Sequence, residues 1–158
     1  MLRVGALVIL AAVAASAPSP AWTWPASSHV VVRGFEAPAT EYSAGHRGID
    51  LHAPVGSEVH AVADGIVAFA GTVADRGVVA IDHDGVRSSV EPVDPTVLAG
   101  AVVHRGEVIG HVAVGGSHAA GALHLGARIR TAAGWAYVSP LLYLGGARRA
   151  VLLPLSAW

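Results

Sequence analysis

Two short stretches carry side chains whose types and spacing could do chemistry. The first is Gly45-His46-Arg47-Gly48-Ile49-Asp50-Leu51, a histidine and an aspartate four residues apart with glycines around them. Those glycines break any helix, so the chain must turn sharply between imidazole and carboxylate, with Asp50 at the start of a strand. The spacing is not the helical zinc-protease pattern, in which two histidines share one helix face. Two readings stand: a hydrogen-bonded pair at the surface, or two groups that converge on a metal. The second stretch runs from Ala122 to Arg130. Leu123, Leu125, Ala127 and Ile129 alternate onto one face, and His124, Arg128 and Arg130 onto the other. His124 therefore points away from the core, either as a solvated strand histidine or toward a partner from elsewhere in the chain.

The elements that must position these groups read as strands. From Val30 to Leu144 no segment has apolar residues at helical spacing with proper caps, whereas β-branched runs bounded by glycine turns recur throughout. Val30-Val31-Val32 reads as a short strand. Asp64-Gly65 is expected to join Glu58–Ala63 to Ile66–Ala70 as a hairpin. Asp84-Gly85 is expected to join Val78–His83 to Val86–Val90 in the same way, because Asp-Gly supplies the positive φ that a tight turn needs. Gly106–Gly110, Ala122–Arg130 and Gly134–Val138 are further strand candidates, the last stopped by Ser139-Pro140. A turn-and-strand echo links Val55–Val59 with Val103–Val108. The expectation is one mainly β domain over residues 30–145, with an arm at 22–29 before it and an apolar tail at 146–158 after it.

Composition narrows the chemistry. The 158 residues contain no cysteine, so thiolate ligands and cysteine nucleophiles are excluded and any metal must use histidine or carboxylate. All ten basic residues are arginine. Without lysine there is no Schiff base and no tethered lipoyl or biotin group, which removes the carrier-domain reading that the turn-and-strand echo would otherwise invite. Residues 1–21 read as an export signal: Arg3, an apolar run from Val4 to Ala15, then small residues that favour cleavage before Trp22, with Ala17 as the alternative. The run is shorter than the roughly 20 residues that cross a bilayer. A retained anchor is the other reading, and no other segment could span. After cleavage, nine arginines face eleven carboxylates for a formal charge of −2, which argues against nucleic acid as a partner.

In this order, the motifs resemble the lysostaphin-like and LytM-like zinc endopeptidases, which cut peptide cross-links in bacterial peptidoglycan. His46-Arg47-Gly48-Ile49-Asp50-Leu51 is similar to the family's first zinc motif, and Gly56–Gly71, with Val62-Ala63-Asp64-Gly65-Ile66-Val67, to the strands that follow it. Gly77–Val90 is similar to the next hairpin, Gly106–Gly110 to the penultimate strand, and Leu123-His124-Leu125-Gly126 to the segment bearing the last ligand. The resemblance implies a single-domain antiparallel β-sandwich or barrel-sandwich built on a duplicated hybrid motif. It implies Zn2+ held by His46, Asp50 and His124 with one position open for water, and peptidoglycan peptide as the substrate of an exported protein. It also exposes two departures. Ala122 and Pro92 stand where relatives usually carry the histidines that handle the water and the oxyanion. Glu91 and His118 are the candidate substitutes, and each also reads plainly as a surface residue. These departures leave open an alternative, a degenerate domain that binds wall peptide or regulates another hydrolase. His29, His52, His60, His83, His104 and His111 read as surface.

Overall fold

The computed structural model of the protein describes residues 22–40, 43–116 and 119–144. The expected export signal at 1–21, the tail at 146–158 and His118 lie outside these residues. Eleven strands and one short 3-10 helix make up the regular structure: β1 (Val31–Arg33), β2 (Gly48–His52), β3 (Glu58–His60), β4 (Gly65–Val73), β5 (Arg76–Asp82), β6 (Val86–Glu91), β7 (Val93–Pro95), β8 (Val102–Val103), β9 (Val108–Val112), β10 (Ala122–Thr131), β11 (Gly134–Val138) and the helix Pro140–Leu142. An eight-stranded sheet runs in the order β1-β2-β10-β6-β5-β4-β8, with β11 beside β10, and a second sheet runs β3-β9-β7. The described strand pairs are all antiparallel. This is the expected mainly β architecture, and the sheets do not close into a barrel.

Both sheets contribute to one core. Ile49 and Leu51 of β2, Leu123 and Leu125 of β10, Val79 and Ile81 of β5 and Val67 of β4 are buried together with Val59, Val93, Ile109 and Val112 of the smaller sheet. The alternation read along β10 is observed: Leu123, Leu125 and Ala127 are fully buried. The turn-and-strand echo is a physical repeat as well. Gly56 (φ 85°) and Gly106 (φ 83°) occupy matching left-handed turn positions, and the two strands that follow, β3 and β9, pair with each other.

Of the two Asp-Gly hairpins, one forms. Asp84 (φ 54°) and Gly85 (φ 90°) make the tight turn between β5 and β6, closed by the bond from His83 N–H to Val86 O at 2.7 Å. Just beyond the turn, Arg87 Nη2 donates to Asp82 Oδ2 at 2.8 Å, and this guanidinium holds the Asp82 carboxyl below its ordinary range. The Asp64-Gly65 hairpin is a misreading. β3 pairs with β9, and the buried stretch Ala61–Ala63 bonds outward instead: Ala61 N–H donates to Glu107 O, and Thr23 N–H donates to Val62 O, each at 2.8 Å. Gly65 is there for close approach, because a Cβ on it would lie 2.4 Å from Asp82 O. β4 turns into β5 instead through Ala74-Asp75, with Ala74 at φ 55°.

Trp22 is a core residue. It is 4% exposed, stacks on Tyr143 with ring centroids 4.8 Å apart, and its N–H donates to Tyr143 O at 2.7 Å. His83 also departs from its surface reading. Its Nδ1–H donates to Asp64 O at 2.8 Å, the buried Ser88 hydroxyl lies 2.8 Å from Nε2, and the Trp22 ring packs 5.5 Å away. Burial holds the His83 imidazole below its usual range, against the opposing pull of the Asp64 carbonyl and the nearby carboxylates. The unfolded chain therefore takes up this proton first as the pH falls through about 6.5. The contribution from neutral His83 is complete above that pH and is lost below it. Thermal unfolding with chelator present is expected to show Tm falling from pH 7.5 to 5.5, with a shallower slope in His83→Gln; equal slopes would remove His83 as the cause.

Candidate metal centre

Strand pairing brings the two chemical stretches together. β10 lies antiparallel to β2 with His124 opposite Asp50, Ala122 opposite His52 and Gly126 opposite Gly48. Ala53 N–H donates to Gly121 O at 2.8 Å, which makes 53/121 a hydrogen-bonded pair. Alternation then makes 52/122 and 50/124 non-hydrogen-bonded pairs, whose Cβ atoms approach to roughly 4.5–5.5 Å. The carboxylate and the imidazole accordingly meet, with His124 Nδ1 2.8 Å from Asp50 Oδ1.

His46 arrives from the loop before β2. A backbone bridge, Glu36 N–H to His46 O and His46 N–H to Glu36 O, both at 2.9 Å, fixes the loop. His46 Nδ1 lies 2.6 Å from Gly34 O. A carbonyl can only accept, so Nδ1 carries a proton and Nε2 is the ring nitrogen turned inward. Nε2 sits 3.0 Å from Asp50 Oδ1 and 3.1 Å from His124 Nδ1. His46, Asp50 and His124 are 5%, 6% and 9% exposed, so water does little to satisfy them.

The donor set identifies what this arrangement can hold. Ring protons can bridge edges of this triangle, and the deprotonated set presents a carboxylate oxygen and two imidazole lone pairs to a common point. One cation at its centre satisfies all three atoms. Zinc bonds of about 2.0–2.1 Å in a tetrahedron separate ligand atoms by about 3.3 Å, within a few tenths of an ångström of the observed spacing. On a zinc ion, three protein ligands would leave a fourth position open, the pattern of a catalytic site.

Glycines make room for the rings. A Cβ on Gly48 would lie 2.2 Å from Leu125 O and 2.5 Å from His124 Nε2, and one on Gly126 would lie 2.6 Å from Ser89 Oγ. The glycine between His46 and Asp50 thus clears the floor on which His124 rests.

Three other positions border the centre. Glu91 of β6 pairs with His124 on the side opposite Asp50, so β2, β10 and β6 carry Asp50, His124 and Glu91 in one row across the sheet. Glu91 Oε1 lies 3.0 Å from Arg76 Nε, an ion pair in which the N–H is not aimed at the oxygen. Ala122 is buried and supplies no imidazole, but exposed His52 stands directly across from it, on the same sheet face as Asp50. His52 is exposed, as its surface reading expects; its period of two from Asp50 puts it on this face, and only the pairing of β2 with β10 sets it across from Ala122. Pro92 is buried, its carbonyl accepting from Ala113 N–H at 3.0 Å.

Comparison with known proteins supports a peptidase relationship. The family model for Peptidase family M23 matches residues 44–137, which include all three candidate ligands. The uncharacterized protein Rv2891 of Mycobacterium tuberculosis is 41% identical over 137 residues, covering 84% of this chain and 55% of that protein, and Mb2915 of Mycobacterium bovis matches to the same extent. The chain thus spans about half the length of the curated relatives it matches. Among solved structures, a zinc containing peptidase from Vibrio cholerae superposes with TM-score 0.61 at 23% identity, covering 71% of this chain and 38% of that one. Csd3 of Helicobacter pylori gives 0.64 at 24%, covering 80% and 35%. The catalytic domain of lysostaphin from Staphylococcus simulans gives 0.54 at 21%, covering 62% and 78%. At these identities the structural likeness establishes the fold.

Gly48→Ala is expected to push His124 out of the triangle and weaken zinc binding at least tenfold, read by competition with a chromophoric chelator alongside circular dichroism. Gly34→Ala, whose Cβ would meet nothing within 4 Å, is the matched control. Wild-type zinc affinity in Gly48→Ala would contradict the steric account.

Proposed function

This chain belongs to peptidase family M23, and from that premise we propose that it is a zinc metalloendopeptidase that hydrolyses peptide bonds in bacterial peptidoglycan. The observation that carries the reading is the buried triangle of His46 Nε2, Asp50 Oδ1 and His124 Nδ1, with edges of 2.8–3.1 Å. The metallopeptidase-type fold and the solved relatives agree with it. Zinc, when bound, lowers the pKa of a water and polarises the substrate carbonyl.

The chain's own residues do the rest. The Gly34 carbonyl holds the Nδ1–H of His46, so Nε2 is the nitrogen presented inward to a metal. Asp50 and the glycine floor orient His124. Glu91, steadied by Arg76, and His52, opposite Ala122, border the centre on the same sheet face, and together with His118 they are the groups we propose to accept and return the proton. Residues 1–21 favour work outside the cytoplasmic membrane, and among the described residues no helix is long and apolar enough to cross one.

A second reading draws on Ala122 and Pro92, where relatives usually carry histidines: a domain that binds wall peptide, or regulates another hydrolase, without cutting. One experiment separates the two. The protein is expected to hold about one zinc per chain, to lose it in His46→Ala, and to release new amino groups from purified cell walls only when zinc is present. Zinc-loaded protein that leaves the walls intact but sediments with them would favour the binding domain. Within an active enzyme, removing the group that carries the proton typically costs about 100-fold or more in kcat. At least one of Glu91→Gln, His52→Ala and His118→Ala should therefore fall by that amount with zinc retained; three near-wild-type rates would refute this assignment.

A further inference from the structure

The face that bears the candidate ligands continues along β10. Ala122, His124, Gly126, Arg128 and Arg130 alternate onto one side, and β11 sets Tyr137 opposite Arg128 and Trp135 opposite Arg130. Around Trp135 stand three guanidinium groups, of Arg87 at 4.7 Å, Arg130 at 5.3 Å and Arg128 at 5.9 Å from the ring centre. Arg128 and Arg47 lie 5.6 and 5.7 Å from the Tyr137 ring. A groove of about 690 Å3 opens beside these residues, lined by Arg47, Arg128, Trp135, Tyr137, Pro38 and Thr40 among others, and among the described residues no carboxylate lines it.

The charge here is one-sided although the whole chain is nearly neutral. Arg87 pairs with Asp82, whose carboxyl also feels the charge of Arg128 from beyond ion-pair range. For Arg128 and Arg130, no carboxylate among the described residues comes within ion-pair range. A guanidinium over an aromatic ring keeps its N–H edge available for a bidentate grip on a carboxylate, and the stacking holds it in place beforehand.

We propose that this groove binds a carboxylate-bearing segment of the peptide on which the centre acts. The inference rests on the peptidase reading. Arg128 follows His124 by four residues of extended strand, roughly 13–14 Å. A peptide laid alongside β10 would therefore carry its acidic group about four residues from the bond at the metal. The site would select acidic wall peptides over amidated ones, with Arg128, which lines the groove, as the main selecting residue and Arg130, over the Trp135 ring at its edge, as a second.

The test titrates zinc-loaded protein by calorimetry with two synthetic stem-type peptides that differ only in having free or amidated side carboxylates, and follows cleavage separately by mass spectrometry. The free-acid peptide is expected to bind at least tenfold more tightly. That preference should shrink to about twofold in Arg128→Gln/Arg130→Gln, and also in 0.5 M salt, because carboxylate contacts are screened. Arg130→Gln alone, at an exposed position, guards against misfolding of the double variant and should lose part of the preference. Arg105→Gln, in the turn before β9, should keep it. Equal binding of the two peptides, or a preference that survives the double substitution, would overturn the proposal whether or not either peptide is cut. A preference dependent on the arginines, with neither peptide cleaved, would uphold the groove and count against the peptidase reading.

Discussion

The pairing of β2 with β10 is the constraint on which the molecule turns. Asp50 and His124 are 74 residues apart in the chain, yet they face each other across one rung of the sheet. The same pairing buries Ile49, Leu51, Leu123 and Leu125 completely on the opposite face. Because side chains alternate with a period of two, a one-residue slip would send both candidate ligands into the core and bring leucines to the metal side. The register is thus held by hydrophobic burial, and the centre inherits its geometry from that burial. Core and site are the two faces of one strand pair.

Burial also shapes the chemistry of the centre. A carboxylate and two imidazoles, all under a tenth exposed, stand within 3.1 Å of one another. Desolvated acceptors in such proximity are unfavourable unless a cation balances them. The sequence lowers the remaining cost through small local choices: Gly34 offers a carbonyl that holds the Nδ1–H of His46, Gly48 leaves the space into which His124 fits, and Gly126 makes room for Ser89. Metal affinity and fold stability are coupled through the same atoms, since a cation that binds only the assembled triangle stabilises the folded chain.

Along the edge opposite β6, β10 is shared by two neighbours. Its first half, Ala122–Gly126, pairs with β2 and carries the candidate ligand, while its second half, Ala127–Thr131, pairs with β11 and carries arginines beside Trp135 and Tyr137. A rigid strand therefore sets the spacing between the candidate metal centre and the arginine-bearing groove. Two functions that need a fixed separation are better placed on one sheet strand than on separate loops, whose positions drift.

Much of this was legible in the residues. The β class, the alternation along β10, the Asp84-Gly85 hairpin and the ligand types available to a chain without cysteine or lysine all follow from local chemistry, because they depend on neighbours one to four positions apart. The Asp64-Gly65 hairpin was misread for an instructive reason: Asp-Gly is a turn signal, but Gly65 answers to the Asp82 carbonyl packed against it, a contact between strands that no local pattern announces. Trp22 and His83 were likewise hidden, each acquiring its surroundings from partners far along the chain. Sequence alone determined which side chains could bind a cation and on which strand face His124 would stand. Only the tertiary structure decided that Asp50 and His124 share a rung, that His46 closes the triangle and that arginines extend the same face. Those outcomes arise from long-range strand pairing, whose partners are selected by burying a common core rather than by any signal within the paired segments.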